Sequence, residues 1–476
     1  MRRLNGVDAL LLYTEAPETP MHTLKIGILD VSGMEGAFTF ELFRRVAEPR
    51  LLELKPLRYQ LVDIPLKLHH PMWSENADID FDYHLRRVTV PAPGGRRELD
   101  DVIGEIASTP LDRSRPLWEM YVAEGVAGGR VAVIHKVHHV LADGVASANQ
   151  MRWAIEPGPS EFPEIRTTDS ERTGAGLVRA AARDHGRQIR RLPNLVRETG
   201  RGVSRVRRRA RERGGQHPEL ASNFAPPPTF INHVVSPIRR FATAPLALAD
   251  VKATAKELGV TINDIVLAMV AGALRELLLR YDGAADAPLI AGVPVSYGNP
   301  DRLVGNEFTY MTPSLAVHVD DPLERVRLTA VSTAIAKENH HLLGPKLIAD
   351  WLNYLPPSVA PPAFRWQSKR VGSSVIMNLT VSNVPGPRTR GTFGGAAISE
   401  IYSVGPLAAG SGMNVTVWSY VDQLDISAIT DDLTTDDPHE VTDAMIRAFV
   451  DIRRAAGLPE ELTQIAAVLP MAAAVE

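Results

Sequence analysis

Residues 172–213 hold 14 Arg against only Asp184, Glu198 and Glu212, and so charged a stretch cannot build a hydrophobic core. It lies within a block, residues 156–228, that opens on Pro157-Gly158-Pro159 and closes on Pro226-Pro227-Pro228, so both ends read as linkers. The core must therefore form in two outer blocks, residues 1–155 and 229–476. At 476 residues and 45 % apolar, the chain is long enough for each to bury one. The formal net charge of −4 conceals this division: 172–213 carries +11 and the remainder −15. An acidic body argues against nucleic-acid binding by bulk charge. Within the basic stretch, Val178, Ala182, His185, Ile189, Leu192 and Val196 recur at steps of four and three, flanked by Arg179, Arg183, Arg187 and Arg190. That spacing predicts a basic amphipathic helix interrupted at Gly186 and Pro193.

Both outer blocks mix strand and helix patterns. In the first, residues 23–30, 118–123 and 131–137 read as strands, and 37–47 and 98–107 as helices. In the second, 249–258 and 265–281 read as helices, the latter capped by Thr261-Ile262-Asn263-Asp264. Strand patterns follow at 288–295, 314–319, 375–381, 398–404, 414–421 and 424–429, with a helix at 323–337 between them. The expected fold class is α/β (α+β), layered in two domains. The chain has no Cys, which excludes disulfides, thiolate metal sites and a cysteine nucleophile. Ala9 to Leu12 is too short for a signal-peptide core. The longest apolar run, Ile265 to Leu274, is about half of the roughly 20 residues a bilayer crossing needs. A soluble or peripheral protein of the cytoplasm is the expectation.

Residues 131–147 carry the chemistry. A buried-looking strand runs into His138-His139, then a short loop, then Asp143-Gly144 opening a helix. A neutral imidazole at a strand end can take a proton from an alcohol near neutral pH. Asp143 could orient a His or cap the helix, and Gly144 permits a close approach that a side chain would block. A metal site would need His135 and His139, but residues four apart along a strand sit about 13 Å from each other. No Gly-x-Ser-x-Gly, Walker-type loop or Gly-x-Gly-x-x-Gly after a strand is present, so acyl-serine, nucleotide-triphosphate and dinucleotide chemistry lack support.

His138-His139-Val140-Leu141-Ala142-Asp143-Gly144 resembles the His-His-x-x-x-Asp-Gly signature of the coenzyme A-dependent acyltransferase superfamily. Further segments, in order along the chain, resemble the bacterial bifunctional wax ester synthase/diacylglycerol acyltransferase family. They are Asn5-Gly6-Val7-Asp8-Ala9, Thr19-Pro20-Met21-His22, Pro116-Leu117-Trp118, Asn263-Asp264, Asn378 with Ser382-Asn383-Val384-Pro385-Gly386-Pro387, and Gly412-Met413-Asn414 leading into Val415 to Tyr420. The resemblance implies two chloramphenicol-acetyltransferase-like subdomains with mixed sheets, residues 1–155 and 229–476, and an active-site tunnel between them. It implies acyl-CoA as a substrate, no bound cofactor and no metal, and diacylglycerol or a long-chain alcohol as acceptor. His139 would be the general base of a direct transfer, with His138 shaping the site and Asp143 and Gly144 holding the loop. Oxyanion or substrate contacts would come from Asn263, Asp264, Ser382, Asn383, Gly412 and Asn414. The basic stretch would hold the enzyme peripherally on anionic membrane or lipid droplets, each basic side chain contributing about 1 kcal/mol; a solvated linker is the other reading. The alternatives are a sibling transferase acting on a polyketide alcohol or a carrier-bound acyl group, and a catalytically weak lipid-droplet-binding paralogue.

Overall fold

In the computed structural model, which describes residues 1–155, 174–221, 225–370, 376–465 and 468–469, the strand and helix patterns of both blocks form two large mixed sheets. Pro157-Gly158-Pro159, residues 172–173 and Val375 lie outside the described residues. In the first half the elements are β1 (Arg2–Arg3), α1 (Gly6–Thr14), β2 (His22–Asp30), α2 (Phe40–Glu53), β3 (Gln60–Val62), β4 (Met72–Ser74), α3 (Phe81–His84), β5 (Leu85–Thr89), α4 (Arg96–Ser108), β6 (Trp118–Val126), β7 (Arg130–His138) and α5 (Gly144–Ile155). One long helix, α6 (Gly174–Arg213), follows. The second half holds β8 (Arg239–Ala247), α7 (Leu248–Glu257), α8 (Ile262–Tyr281), β9 (Leu289–Ser296), β10 (Phe308–Met311), β11 (Ser314–Leu315), α9 (Pro322–Leu343), α10 (Leu347–Leu352) and α11 (Ala360–Ser368). It ends with β12 (Leu379–Pro385), β13 (Thr392–Phe393), β14 (Ala396–Val404), β15 (Met413–Tyr420), β16 (Gln423–Asp431) and α12 (His439–Ala455).

Sheet membership does not follow the linear blocks. The first sheet runs β13-β14-β2-β7-β6-β5, so residues 392–404 of the second block complete it. The second runs β10-β9-β12-β15-β16-β8, with β11 also on β9. A domain boundary drawn only at the arm therefore assigns β13 and β14 to the wrong sheet: β14 pairs antiparallel with β2 from Ala397 to Val404, a long-range pairing that a reading of local sequence cannot assign.

The apolar run in α8 is wholly enclosed: Ile265 to Ala271 are all at most 1 % exposed, packed between the second sheet and α9 and α12. No single described helix is long and apolar enough to cross a bilayer.

The basic stretch differs from its expectation in two ways. It forms one helix of 40 residues that continues through Gly186 and Pro193. Pro193 is exposed, so the carbonyl its ring deprives of a partner can turn to water. The predicted apolar stripe also faces outward, with Ile189 70 % and Val196 54 % exposed. Docking uses the adjacent face, where Leu177, Ala180, Ala181, Leu195 and Gly202 are buried. Gly202 is required there, since a Cβ would meet the Leu343 carbonyl oxygen of α9 at 2.5 Å.

Candidate active site

Strand β7 delivers the paired histidines to the end of the first sheet, where His22 of β2 stands opposite His138. His138 N–H donates to the Leu117 carbonyl at 2.9 Å and His139 N–H to the Met21 carbonyl at 2.7 Å. The two imidazoles meet different partners. On His138, Nδ1 accepts from Val140 N–H at 3.1 Å and Nε2 lies 3.2 Å from Glu15 Oε1. Burial alone would raise the Glu15 carboxyl, but His138 and Arg113 outweigh it and hold it far below the carboxylate range.

His139 instead places Nδ1 3.0 Å from Asn306 Oδ1. The amide of Asn306 has a fixed orientation: its Nδ2 donates to Asp8 Oδ1 at 2.8 Å and to the His139 carbonyl at 2.7 Å. Its oxygen therefore faces the imidazole and can only accept, so Nδ1 carries the proton and Nε2 keeps its lone pair. Asp8 also accepts from the Asn306 backbone N–H, and Asn5 caps α1 and donates to the Asn306 carbonyl. Burial pushes Asp8 up to about 7 and pulls His139 down to about 4, with the neighbouring Lys25 ammonium adding to the latter. His139 is thus neutral at pH 7.

Asp143 is committed to the loop. Its Oδ1 accepts from Val145 and Ala146 N–H at 3.1 and 3.0 Å, capping α5. Its Oδ2 accepts from Glu307 N–H at 3.0 Å and pairs with Arg302. Gly305 N–H donates to the Leu141 carbonyl at 2.7 Å, which docks the β9–β10 connection on the motif and carries Asn306 to His139. At Gly144 a Cβ would press on Val384 of β12 at 3.1 Å.

His139 opens on a cavity of about 1290 Å³ between the two sheets, with mostly apolar walls. Ser382 and Asn383 of β12 and Asn414 of β15 line it. The register pairs Thr380 with Asn414 and Ser382 with Thr416, and all four line that cavity. Asn414 is bound to Pro406 and Thr416, whereas Ser382 makes no side-chain hydrogen bond among the described residues.

Two expectations are corrected. Asn263 and Asp264 do not line this cavity; they face a neighbouring one, and Asp264 closes a capping box with Thr261 because it starts a 20-residue helix. Gly412 does not line it either. It is a close-approach glycine, where a Cβ would meet Thr434 Oγ1 at 2.2 Å and His233 at 2.7 Å. Trp118 of the Pro-Leu-Trp segment packs at the start of β6 in the core, where its Nε1 donates to the Leu57 carbonyl at 2.8 Å.

Sequence reasoning missed three contributors. Asn306 lies 167 residues from His139, so no local pattern joins them. Lys25 is buried in the cavity wall, donates to Ser403 Oγ at 2.6 Å, and is drawn down to about 7 by burial. A lone Lys among the apolar Leu24, Ile26, Ile28 and Leu29 of β2 was the available signal. The C-terminal half of α6, through Val203, Val206 and Ala210, forms part of the wall, so this segment is not a linker.

Comparison with known proteins decides the family. The catalytic domain of wax ester synthase/diacylglycerol acyltransferase matches residues 4–266, and the C-terminal domain of that family matches residues 304–453. The chain belongs to this family. It is an acyltransferase. A Mycobacterium tuberculosis relative named as a diacylglycerol O-acyltransferase is 55 % identical over 475 residues, covering 99 % of this chain and 100 % of the relative. The family member O-acyltransferase WSD of Acinetobacter baylyi is 30 % identical, covering 90 % of this chain and 92 % of the relative. The wax ester synthase/diacylglycerol acyltransferase from Marinobacter aquaeolei superposes with a TM-score of 0.63 at 25 % identity, covering 96 % and 100 % of the two chains. The first condensation domain of the CDA synthetase shares the fold, with a TM-score of 0.59 at 15 % identity over 97 % and 99 % of the chains.

Proposed function

We propose that this acyltransferase moves a long acyl chain from acyl-CoA to the hydroxyl of diacylglycerol, a long-chain alcohol or both. The observation that carries the reading is the neutral His139, its Nδ1 proton held by Asn306, beside a large apolar cavity. His139 Nε2 takes the acceptor hydroxyl proton while that oxygen attacks the thioester carbonyl carbon. The new imidazolium is stabilised by the Asn306 carbonyl oxygen, whose amide is polarised by Asp8. Ser382 Oγ, without a hydrogen-bond partner among the described residues, is the donor available to the tetrahedral oxyanion. Collapse breaks the carbon–sulfur bond, and the departing CoA sulfur takes the proton from Nε2. No acyl-enzyme forms, and no cofactor is required.

Purified protein given labelled palmitoyl-CoA and each acceptor separately, followed by lipid separation, tests this. Labelled triacylglycerol or wax ester is expected, and neither from His139→Ala. Equal product from both proteins would end the assignment.

The exposed face of α6 supports a peripheral site on the inner membrane face or on lipid droplets. Ile189, Leu192 and Val196 stand out to solvent beside Arg179, Arg183, Arg187 and Arg190. Ile189→Glu with Val196→Glu is expected to abolish sedimentation with anionic phosphatidylglycerol vesicles while the fold is kept. Unchanged sedimentation would contradict this placement.

A further inference from the structure

A second cavity, of about 1060 Å³, adjoins the first and shares Ser296, Met311, His340, Leu343, Gly344 and Pro345 with it as common wall. Its own lining is different in kind. Arg201 and Arg205 of α6, Lys337 and His341 of α9, and Lys346 just beyond α9 surround it, and the N-terminus of α8 opens on it at Thr261 and Asn263. None of Arg201, Arg205, Lys337 and Lys346 forms an ion pair among the described residues, although Arg209 and Arg213, about one and two turns further along α6, both pair with Glu338. Arg205 Nε donates to the Leu342 carbonyl, and Lys346 lies over the Tyr297 ring, so both are held at the cavity rather than adrift in solvent.

Three acids also line the cavity. Asp264 is committed to its capping box and to Thr333 Oγ1. Asp350 is raised by burial and by Glu198 beside it, with Lys346 and Arg191 opposing. Glu198 and Asp350 are left as two exposed carboxylates facing four cations that form no ion pair among the described residues. Unpaired cations gathered on a concave surface, with a helix N-terminus among them, suit a ligand carrying several phosphates.

We propose that this cavity binds the phosphate-bearing nucleotide end of the acyl donor, with Lys337, Arg201 and Arg205 as its principal contacts, while the thioester reaches His139 across the shared wall. The inference rests on the acyl-CoA reading above. A lipid headgroup phosphate has the same chemistry, but the continuity with the catalytic cavity favours the donor.

The test compares two donors that differ only in the nucleotide: palmitoyl-CoA and palmitoyl-pantetheine. In the full-length protein, Arg201→Glu with Lys337→Glu is expected to lower the ratio of kcat/KM for palmitoyl-CoA to that for palmitoyl-pantetheine by at least about tenfold, roughly one charge-assisted contact. Adenosine 3′,5′-bisphosphate is expected to compete with palmitoyl-CoA on the wild type and much less on the variant. Lys337→Gln, milder for folding, should shift the ratio the same way by less. An unchanged ratio overturns the proposal. So does a loss of vesicle sedimentation with the ratio intact, which would assign the cations to lipid. Absence of transfer from either donor by the wild type would instead overturn the acyl-CoA reading itself.

Discussion

The region behind His138 and the cavity in front of His139 each bring a carboxylic acid to an imidazole, and they fix opposite tautomers. His138 accepts at Nδ1 from Val140 and turns Nε2 to Glu15. His139 turns Nδ1 to the Asn306 oxygen, with Asp8 one step further back, and leaves Nε2 to the cavity. Direct contact with a carboxylate builds a closed pair that anchors α1 to the motif. An interposed amide fixes the proton of an imidazole that burial keeps neutral, and still conveys part of the carboxylate's charge. Adjacent residues of one type thus acquire different work from the second atom they touch.

Substitutions can break this contrast. His139→Ala should have the largest effect, lowering kcat by about 10²- to 10⁴-fold without a change in Tm, since it removes the base alone. Asn306→Ala should follow, at about 10²-fold, because the ring loses its orientation while keeping its chemistry. Asn306→Asp sharpens the point: it keeps an acceptor at Nδ1 but adds charge, so the pH at which activity is lost should move up toward the ordinary imidazole range. An Asn306→Asp profile identical to that of Asn306→Ala would mean the residue merely supports the fold.

The pH dependence follows from the lowered His139. Only the neutral imidazole accepts a proton, so kcat/KM should stay level as the pH falls and drop only through about 4. Measurement in an Asp8→Asn background removes the titration of Asp8 near 7 from the profile. Loss of activity already near 6.5 in that background would contradict the buried neutral base. His138→Ala should act on the other side of the comparison. Glu15 keeps Arg113 but loses its imidazole, so stability should fall by about 1–3 kcal/mol, read as a lower Tm, with a smaller loss of rate than Asn306→Ala.

How much of this was legible in the sequence depended on chain distance. The strand, the paired histidines and the Asp143 cap are local, and their order alone placed His139 at a strand end and Asp143 at a helix start. Asn306 was invisible because it arrives on the β9–β10 connection, and β14 because it crosses to the other sheet. Periodicity in α6 found a helix but could not say which face docks. The packed side joins Leu177 and Leu195 with Ala180, Ala181 and Gly202, small residues that carry little hydrophobic signal, while Ile189 and Val196 face solvent. Asn263-Asp264 and Gly412 were placed in the site by resemblance, and the fold gives them a helix cap beside the basic cavity and a tight contact with Thr434.

The central claim concerns a single proton. Nitrogen NMR of histidine-labelled protein at neutral pH, with the His139→Ala spectrum subtracted, observes it directly. The account predicts a neutral ring protonated at Nδ1, with Nε2 bare. A ring protonated at Nε2, or an imidazolium, would contradict it.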